Sequence, residues 1–264
     1  MNFKTIKYWL SKKDRTMKGG ANKVLSLDYT RMIDLRKDWY LGLTEPTAYG
    51  YGYDTDNLQL WIDEAIDIDR HGVTIQAYPI KEMPTFDPNQ WPMNDRIKKG
   101  SGNFTHYSGM VISKKLYKAP IVVEYSGLIP QKSTFLPSVW LISDVGKITR
   151  EIDCFEAYSG RIFFTTHSGG VNYANRKVDS TILYRKNRKS DVIRVEVYED
   201  KVLWYLNGVL VKQKKFDSKN VDYFVEVSLS VSSPKTVNPA NTKDHLPIYN
   251  ESLEWKVGTL NVYA

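Results

Sequence analysis

The stretch Arg150-Glu151-Ile152-Asp153-Cys154-Phe155-Glu156-Ala157-Tyr158-Ser159-Gly160 (REIDCFEAYSG) sets three carboxylates among strand-forming apolar neighbours. Side chains alternate between the two faces of a regular strand. Glu151 and Asp153 would therefore share a face, and Glu156 would point the other way. A single β-bulge resolves the conflict, because one extra residue shifts the alternation by one. With that residue at Cys154 or Phe155, all three acids face the same side. The next residues supply a register. Ser159-Gly160 reads as a two-residue hairpin turn after Tyr158, with Arg161-Ile162-Phe163-Phe164-Thr165-Thr166-His167 returning. Glu156 then opposes Phe163, Asp153 opposes Thr165 and Glu151 opposes His167. Ile152, Cys154, Ile162 and Phe164 are left for the opposite face. Without the bulge, His167 would oppose Ile152.

Three acids on one face repel each other, so at least one carboxyl is expected to hold its proton to higher pH. Glycoside hydrolysis uses such a set: an ionised carboxylate as nucleophile and a protonated carboxyl as acid. In the retaining form the two lie roughly 5–5.5 Å apart. A solvated strand face with scattered acids has the same spacing, and the residues alone leave both readings open. Other chemistries lack their motifs. Gly146-Lys147 is followed by Ile148-Thr149 and lacks the earlier glycine of a phosphate-binding loop. No G-x-S-x-G nucleophile elbow occurs. His71, His106, His167 and His245 show no H-E-x-x-H or i, i+4 pairing, so no metal site is expected.

Bulk properties narrow the class. A chain of 264 residues with 42% hydrophobic and 25% charged residues can build a sizeable core. Its 7 Trp and 18 Tyr suit both sheet packing and sugar stacking. The net charge of +7 admits nucleic acid, anionic lipid or an acidic polysaccharide as partner. The cations are spread out, however. The denser groups are an N-terminal arm (Lys4, Lys7, Lys12, Lys13, Arg15, Lys18) and the run Arg185 to Lys189. No zinc-finger, basic-zipper or RNA-recognition signature accompanies them, which argues against nucleic acid. A single cysteine, Cys154, excludes an internal disulfide. There is no 18-residue apolar run, so no membrane span is expected.

Residues 1–25 read as a basic arm and 26–264 as a single all-β domain. Strand patterns recur at 72–80, 109–117, 121–129, 223–231 and 253–264. VIRVEVYEDKVLWYLNGVLVKQ (192–213) reads as three strands turning at Glu199-Asp200-Lys201 and at Asn207-Gly208. Only 53–69 competes as a helix. Many short strands without a βαβ rhythm predict a sandwich or jelly roll. Residues 81–104 read as a long loop that, with 130–138, would line a binding cleft.

E-I-D-C-F-E resembles the E-x-D-x-x-E signature of glycoside hydrolase family 16 in its bulged, laminarinase-like form. YSGMVISKKLYKAPIVVEYSGLI, FLPSVWLIS, TTHSGG, VLWYLNGVLV and LEWKVGTLNVYA resemble further family segments in the same order. Ser138 stands where the family has another small residue. The resemblance implies a β-jelly-roll sandwich of the concanavalin-like type, two antiparallel sheets with a concave cleft. It also implies an endo-acting retaining glycosidase acting on a β-glucan, galactan or capsule glycan. In that reading Glu151 is the nucleophile, Asp153 its helper and Glu156 the acid/base. Trp140 would stack a sugar, unless it is a core residue. His167 would hydrogen-bond near Glu151, unless it is a sheet histidine satisfied by its neighbours. No cofactor is required; some relatives carry a structural calcium.

The polysaccharide is the expected partner, and the basic balance favours an anionic or sulfated one. The N-terminus has positive charge without an apolar core of signal-peptide length. Synthesis in a cytoplasm is therefore expected, with an extracellular location if a leader has been removed. A virion-associated depolymerase, assembled through the arm and released by lysis, would reconcile such a site with a glycan outside the cell. The competing class is a non-catalytic carbohydrate-binding or virion structural module.

Overall fold

A computed structural model describes residues 22–27, 35–41, 59–69, 72–80, 105–132, 134–145, 148–170, 177–184, 190–231 and 251–264. The loop expected at 81–104 and the basic run 185–189 lie outside them. The described chain is almost entirely strand. One sheet has six strands, in the order Lys23–Leu27, Thr259–Tyr263, Ile121–Gly127, Asp191–Val197, Lys201–Leu206, Val209–Lys215. The second has eight. Its order is Lys177–Tyr184, Arg161–Gly170, Ile148–Tyr158, Phe135–Val145, Asp222–Val231, Met110–Ser113, Trp39–Leu41, with Tyr117–Lys118 also on Asp222–Val231. Every pairing in these two sheets is antiparallel.

Strand alternation builds the core between them. Val139, Leu141, Ile152, Phe155, Ile162, Phe164, Val225 and Val227 of the eight-stranded sheet form one buried cluster with Val123, Tyr125, Ile193, Val195 and Trp204 of the other. Phe155 packs on Tyr125, with ring centroids 4.9 Å apart, and on Trp255 at 6.3 Å. The sheets are also tied by polar contacts. Lys212 Nζ crosses from the six-stranded sheet to donate to the carbonyls of Phe164 and Asp179, both at 2.7 Å. Burial lowers its pKa first, and the Asp179 carboxylate at 2.9 Å opposes that shift.

A smaller sheet, Leu253–Lys256, Gly72–Pro79, His106–Ser108 and Gln59–Trp61, docks on the Asp222–Val231 strand. Ile66–Asp69 pairs with Gly72–Pro79 in the same sheet. The Ser108 hydroxyl donates to the Leu229 carbonyl at 2.6 Å across this junction. Within 53–69, the described part is strand: Gln59–Trp61 and Ile66–Asp69 flank a single 3-10 turn at Asp63–Ala65. The helix alternative therefore fails there; Trp61, Ala65 and Ile66 are buried, with Trp61 paired to Ser108 and Ile66 to Ile75. Two further boundaries differ from the sequence reading. Lys23–Leu25, placed in the basic arm, begin an edge strand paired with Thr259–Tyr263. Phe135–Ser138, placed in a subsite loop, belong to a central strand.

Both hairpin turns follow their sequences. Tyr158 opposes Arg161 across Ser159 and Gly160, whose φ values are 47° and 73°. Leu206 opposes Val209 across Asn207 and Gly208, at 52° and 79°. Positive φ at both central positions gives the twist that a two-residue hairpin needs. Among the described residues no helix is long and apolar enough to cross a membrane.

Candidate active site

The register of the strand Ile148–Tyr158 slips between Asp153 and Glu156. Asp153 opposes Thr165 and Glu156 opposes Phe163, so Cys154 and Phe155 together face the single residue Phe164. The slip recurs on the other side, where Val139 opposes Phe155 and Trp140 opposes Asp153. Both bulge residues turn inward, Cys154 to 1% exposure and Phe155 to none. The bulge therefore has a packing cause: two consecutive apolar side chains fill the core, and the strand yields one step of alternation. Burial also pushes the Cys154 thiol well above its usual pKa, with Asp153 adding to the rise.

The outer face of the sheet then carries three neighbouring cross-strand rows. One runs Phe224, Ile142, Glu151, His167, Val178. The next runs Ile112, Glu226, Trp140, Asp153, Thr165, Ser180. The third runs Ser228, Ser138, Glu156, Phe163, Ile182. The five site residues expected from sequence, Trp140, Glu151, Asp153, Glu156 and His167, thus share one face in adjacent rows. Glu151, Glu156, Trp140 and His167 are half-buried, while Asp153 is buried.

His167 sits between two of the acids. Its Nε2 lies 3.2 Å from Asp153 Oδ2 and 3.5 Å from Glu151 Oε1. Nε2 donates at this contact where Asp153 is ionised, since a carboxylate only accepts. The contact is closer to Asp153 than to Glu151, toward which sequence reasoning had aimed it. Trp140 Nε1 donates to Ser228 Oγ at 3.2 Å, which orients the indole on the outer face instead of in the core. Ligand atoms of Glu151, Asp153 and His167 lie within 4.8 Å of one another, so this trio is the described group that could hold a cation. The hydrogen bond from His167 accounts for the same closeness.

Two residues escaped the sequence reading. Trp204, fully buried in the opposite sheet, donates its indole N–H to the Asp153 carbonyl at 2.9 Å. It holds the backbone at the bulge from behind, and Lys212 Nζ lies 4.9 Å from its ring centroid. In sequence it is one more aromatic in a strand. Glu226 lies opposite Trp140 with 1% exposure, and its Oε2 has no hydrogen-bond partner among the described residues. Burial raises its pKa well above the ordinary glutamate value, and the nearby Glu151 carboxylate adds to the rise. Burial thus favours the protonated form of Glu226 beside the acidic trio. Its signal was a lone carboxylate in the otherwise apolar and hydroxylic run YFVEVSLSV.

The architecture is the β-jelly roll of solved glycoside hydrolases, among them a glycoside hydrolase family 16 endo-glucanase of Bacteroides ovatus. The laminarinase catalytic domain of Thermotoga maritima superposes with a TM-score of 0.67 at 16% identity, over 93% of this chain and 98% of that one. The endo-β-1,3-glucanase of Pyrococcus furiosus gives 0.65 at 18%, over 92% and 94%. The κ-carrageenase of Pseudoalteromonas carrageenovora, solved with a κ-carrageenan oligosaccharide, gives 0.63 at 15%, over 96% and 99%. No family model matches the sequence, and no curated protein matches it.

Proposed function

We propose that the protein is an endo-acting, retaining glycoside hydrolase that cleaves a β-linked polysaccharide. The observation that carries this reading is the bulge, which aligns Glu151, Asp153 and Glu156 on one outer face beside Trp140 and His167. Mere binding gives no reason for three carboxylates to converge there. The glucanases and the carrageenase of the same fold support the reaction class.

In this mechanism Glu156 protonates the glycosidic oxygen as the bond to the anomeric carbon breaks. Glu151 attacks that carbon and forms a glycosyl ester. Glu156, now a carboxylate, takes a proton from water, which attacks the same carbon and releases Glu151. Asp153 and His167 form a hydrogen-bonded pair that holds the nucleophile's surroundings in place. Trp140 offers an indole face to the sugar next to the cleaved bond. Glu226 sits near Glu151, where burial favours its protonated form over a further negative charge.

The test is a reducing-end assay over β-glucans, galactans and capsule glycans, run beside the Glu151→Ala protein. New reducing ends are expected from at least one polymer. Glu151→Ala should abolish them with the circular dichroism spectrum unchanged, and Glu156→Gln should lower the rate by about 10²–10⁴. NMR of the first-formed anomer should show retention. Full activity after either substitution would overturn the roles. Sugar binding with no reducing ends from any polymer would instead establish a carbohydrate-binding module.

A further inference from the structure

Among the described residues, the strand Lys177–Tyr184 is the edge of the eight-stranded sheet, next to Arg161–Gly170. Exposed edge strands usually carry charges, Pro or bulges. On the face shared with the acidic trio, this one instead presents Val178, Ile182 and Tyr184, at 59%, 47% and 82% exposure. Tyr184 is the most exposed large apolar side chain among the described residues. Its ring is not idle: the Arg161 guanidinium carbon lies 5.2 Å from its centroid. Arg161 directly opposes Tyr184 in the ladder, and among the described residues no carboxylate pairs with it.

The surface continues the row of the acid/base. Glu156 opposes Phe163, Phe163 opposes Ile182, and the Arg161–Tyr184 pair forms the next row. From strand spacing and rise, Tyr184 stands about 12 Å from Glu156 at the backbone. That is beyond the sugar at the cleaved bond and within reach of the units that follow it.

An exposed aromatic face stacks on the apolar face of a sugar ring. A planar guanidinium with no carboxylate partner binds a sulfate or carboxylate through two parallel hydrogen bonds. We propose that Tyr184 and Arg161, with Ile182 and Phe163 as floor, form a subsite for a sugar bearing a sulfate ester or a carboxylate, on the Glu156 side of the cleavage point. This rests on the glycosidase reading and adds its substrate class. The net charge of +7 favours an anionic polymer over a second copy of the chain, which would bring like charges together.

Binding separates this claim from turnover. Isothermal titration of the Glu151→Ala protein is run with κ-carrageenan as the sulfated probe, alginate as the carboxylated probe and laminarin as the neutral one. Tighter binding to carrageenan or alginate than to laminarin is expected, and the tighter of the two identifies the anion. Arg161→Gln and Tyr184→Ala in that background should each weaken it about tenfold or more. Lys219→Gln, an exposed cation elsewhere, should leave it unchanged. Equal weakening by Lys219→Gln would mean general polyelectrolyte attraction and overturn the proposal. So would equal binding of laminarin, no binding of any probe, or a dimer in light scattering that Tyr184→Ala dissociates. Anion-selective binding lost in Arg161→Gln, with no polymer cleaved by the intact protein, would remove the enzymatic reading and leave the subsite standing.

Discussion

Glu226 shows how one residue's chemistry depends on its surroundings. In the unfolded chain its proton leaves near the ordinary glutamate value of 4.5; in the folded protein burial and Glu151 hold it on to higher pH. Between those two values the folded state binds more protons than the unfolded state. Stability therefore falls as pH rises through that window, and levels off above the folded-state pKa. Glu226→Gln keeps the shape and removes the ionisation, so the variant should lose this part of the decline. Urea denaturation across a pH series checks it; parallel slopes in the two proteins would contradict a neutral Glu226. Glu226 was not legible in sequence, because strand parity places it on an outer face where a carboxylate normally meets water. Only its neighbours in three dimensions bury it. The odd spacing of Glu151, Asp153 and Glu156 raised the bulged register in sequence, and the family resemblance chose the catalytic reading over a solvated strand face.

At the scale of the element, the bulge is held from two sides. The pleat supplies two consecutive core residues, Cys154 and Phe155, and Trp204 donates to the Asp153 carbonyl. Trp204→Phe keeps most of the buried surface and removes the indole donor to that carbonyl. A loss of about 1–3 kcal/mol in urea denaturation is expected, together with lower turnover, because Asp153 and Glu156 depend on the bulge for their common face. Unchanged turnover in the destabilised variant would mean that strand pairing alone maintains the bulge. The hairpin register was readable in advance because its constraints are local: a Ser-Gly turn, a run of alternating residues and one extra position. The 130–138 segment was misread for the opposite reason. Pro130, Pro137 and the polar residues between them look like loop, and the pairing of Phe135–Ser138 with Ser228–Val231 arises from a strand about ninety positions away.

At the scale of the whole molecule, the core between the sheets is closed over Cys154. Its thiol is buried and its pKa raised by that burial, so little reactive thiolate forms. The native protein is expected to resist iodoacetamide, and labelling should begin with global unfolding in a denaturant series. Rapid labelling without denaturant would show that the sandwich opens at the bulge. The sequence by itself determined the strand-rich class and both two-residue turns, and its spacing offered the bulged register that puts Glu151, Asp153, Glu156 and His167 on one face, since each follows from backbone sterics within a few positions; Trp140 was reached only through the family resemblance. Only the tertiary structure decided the rest. It brought Trp204 behind Asp153, buried Glu226 beside Glu151, put His167 nearer to Asp153, and set Tyr184 against Arg161 on an edge of the described sheet. Those relations join residues on separate strands, and the packing of one strand against another, which no local spacing encodes, determines them.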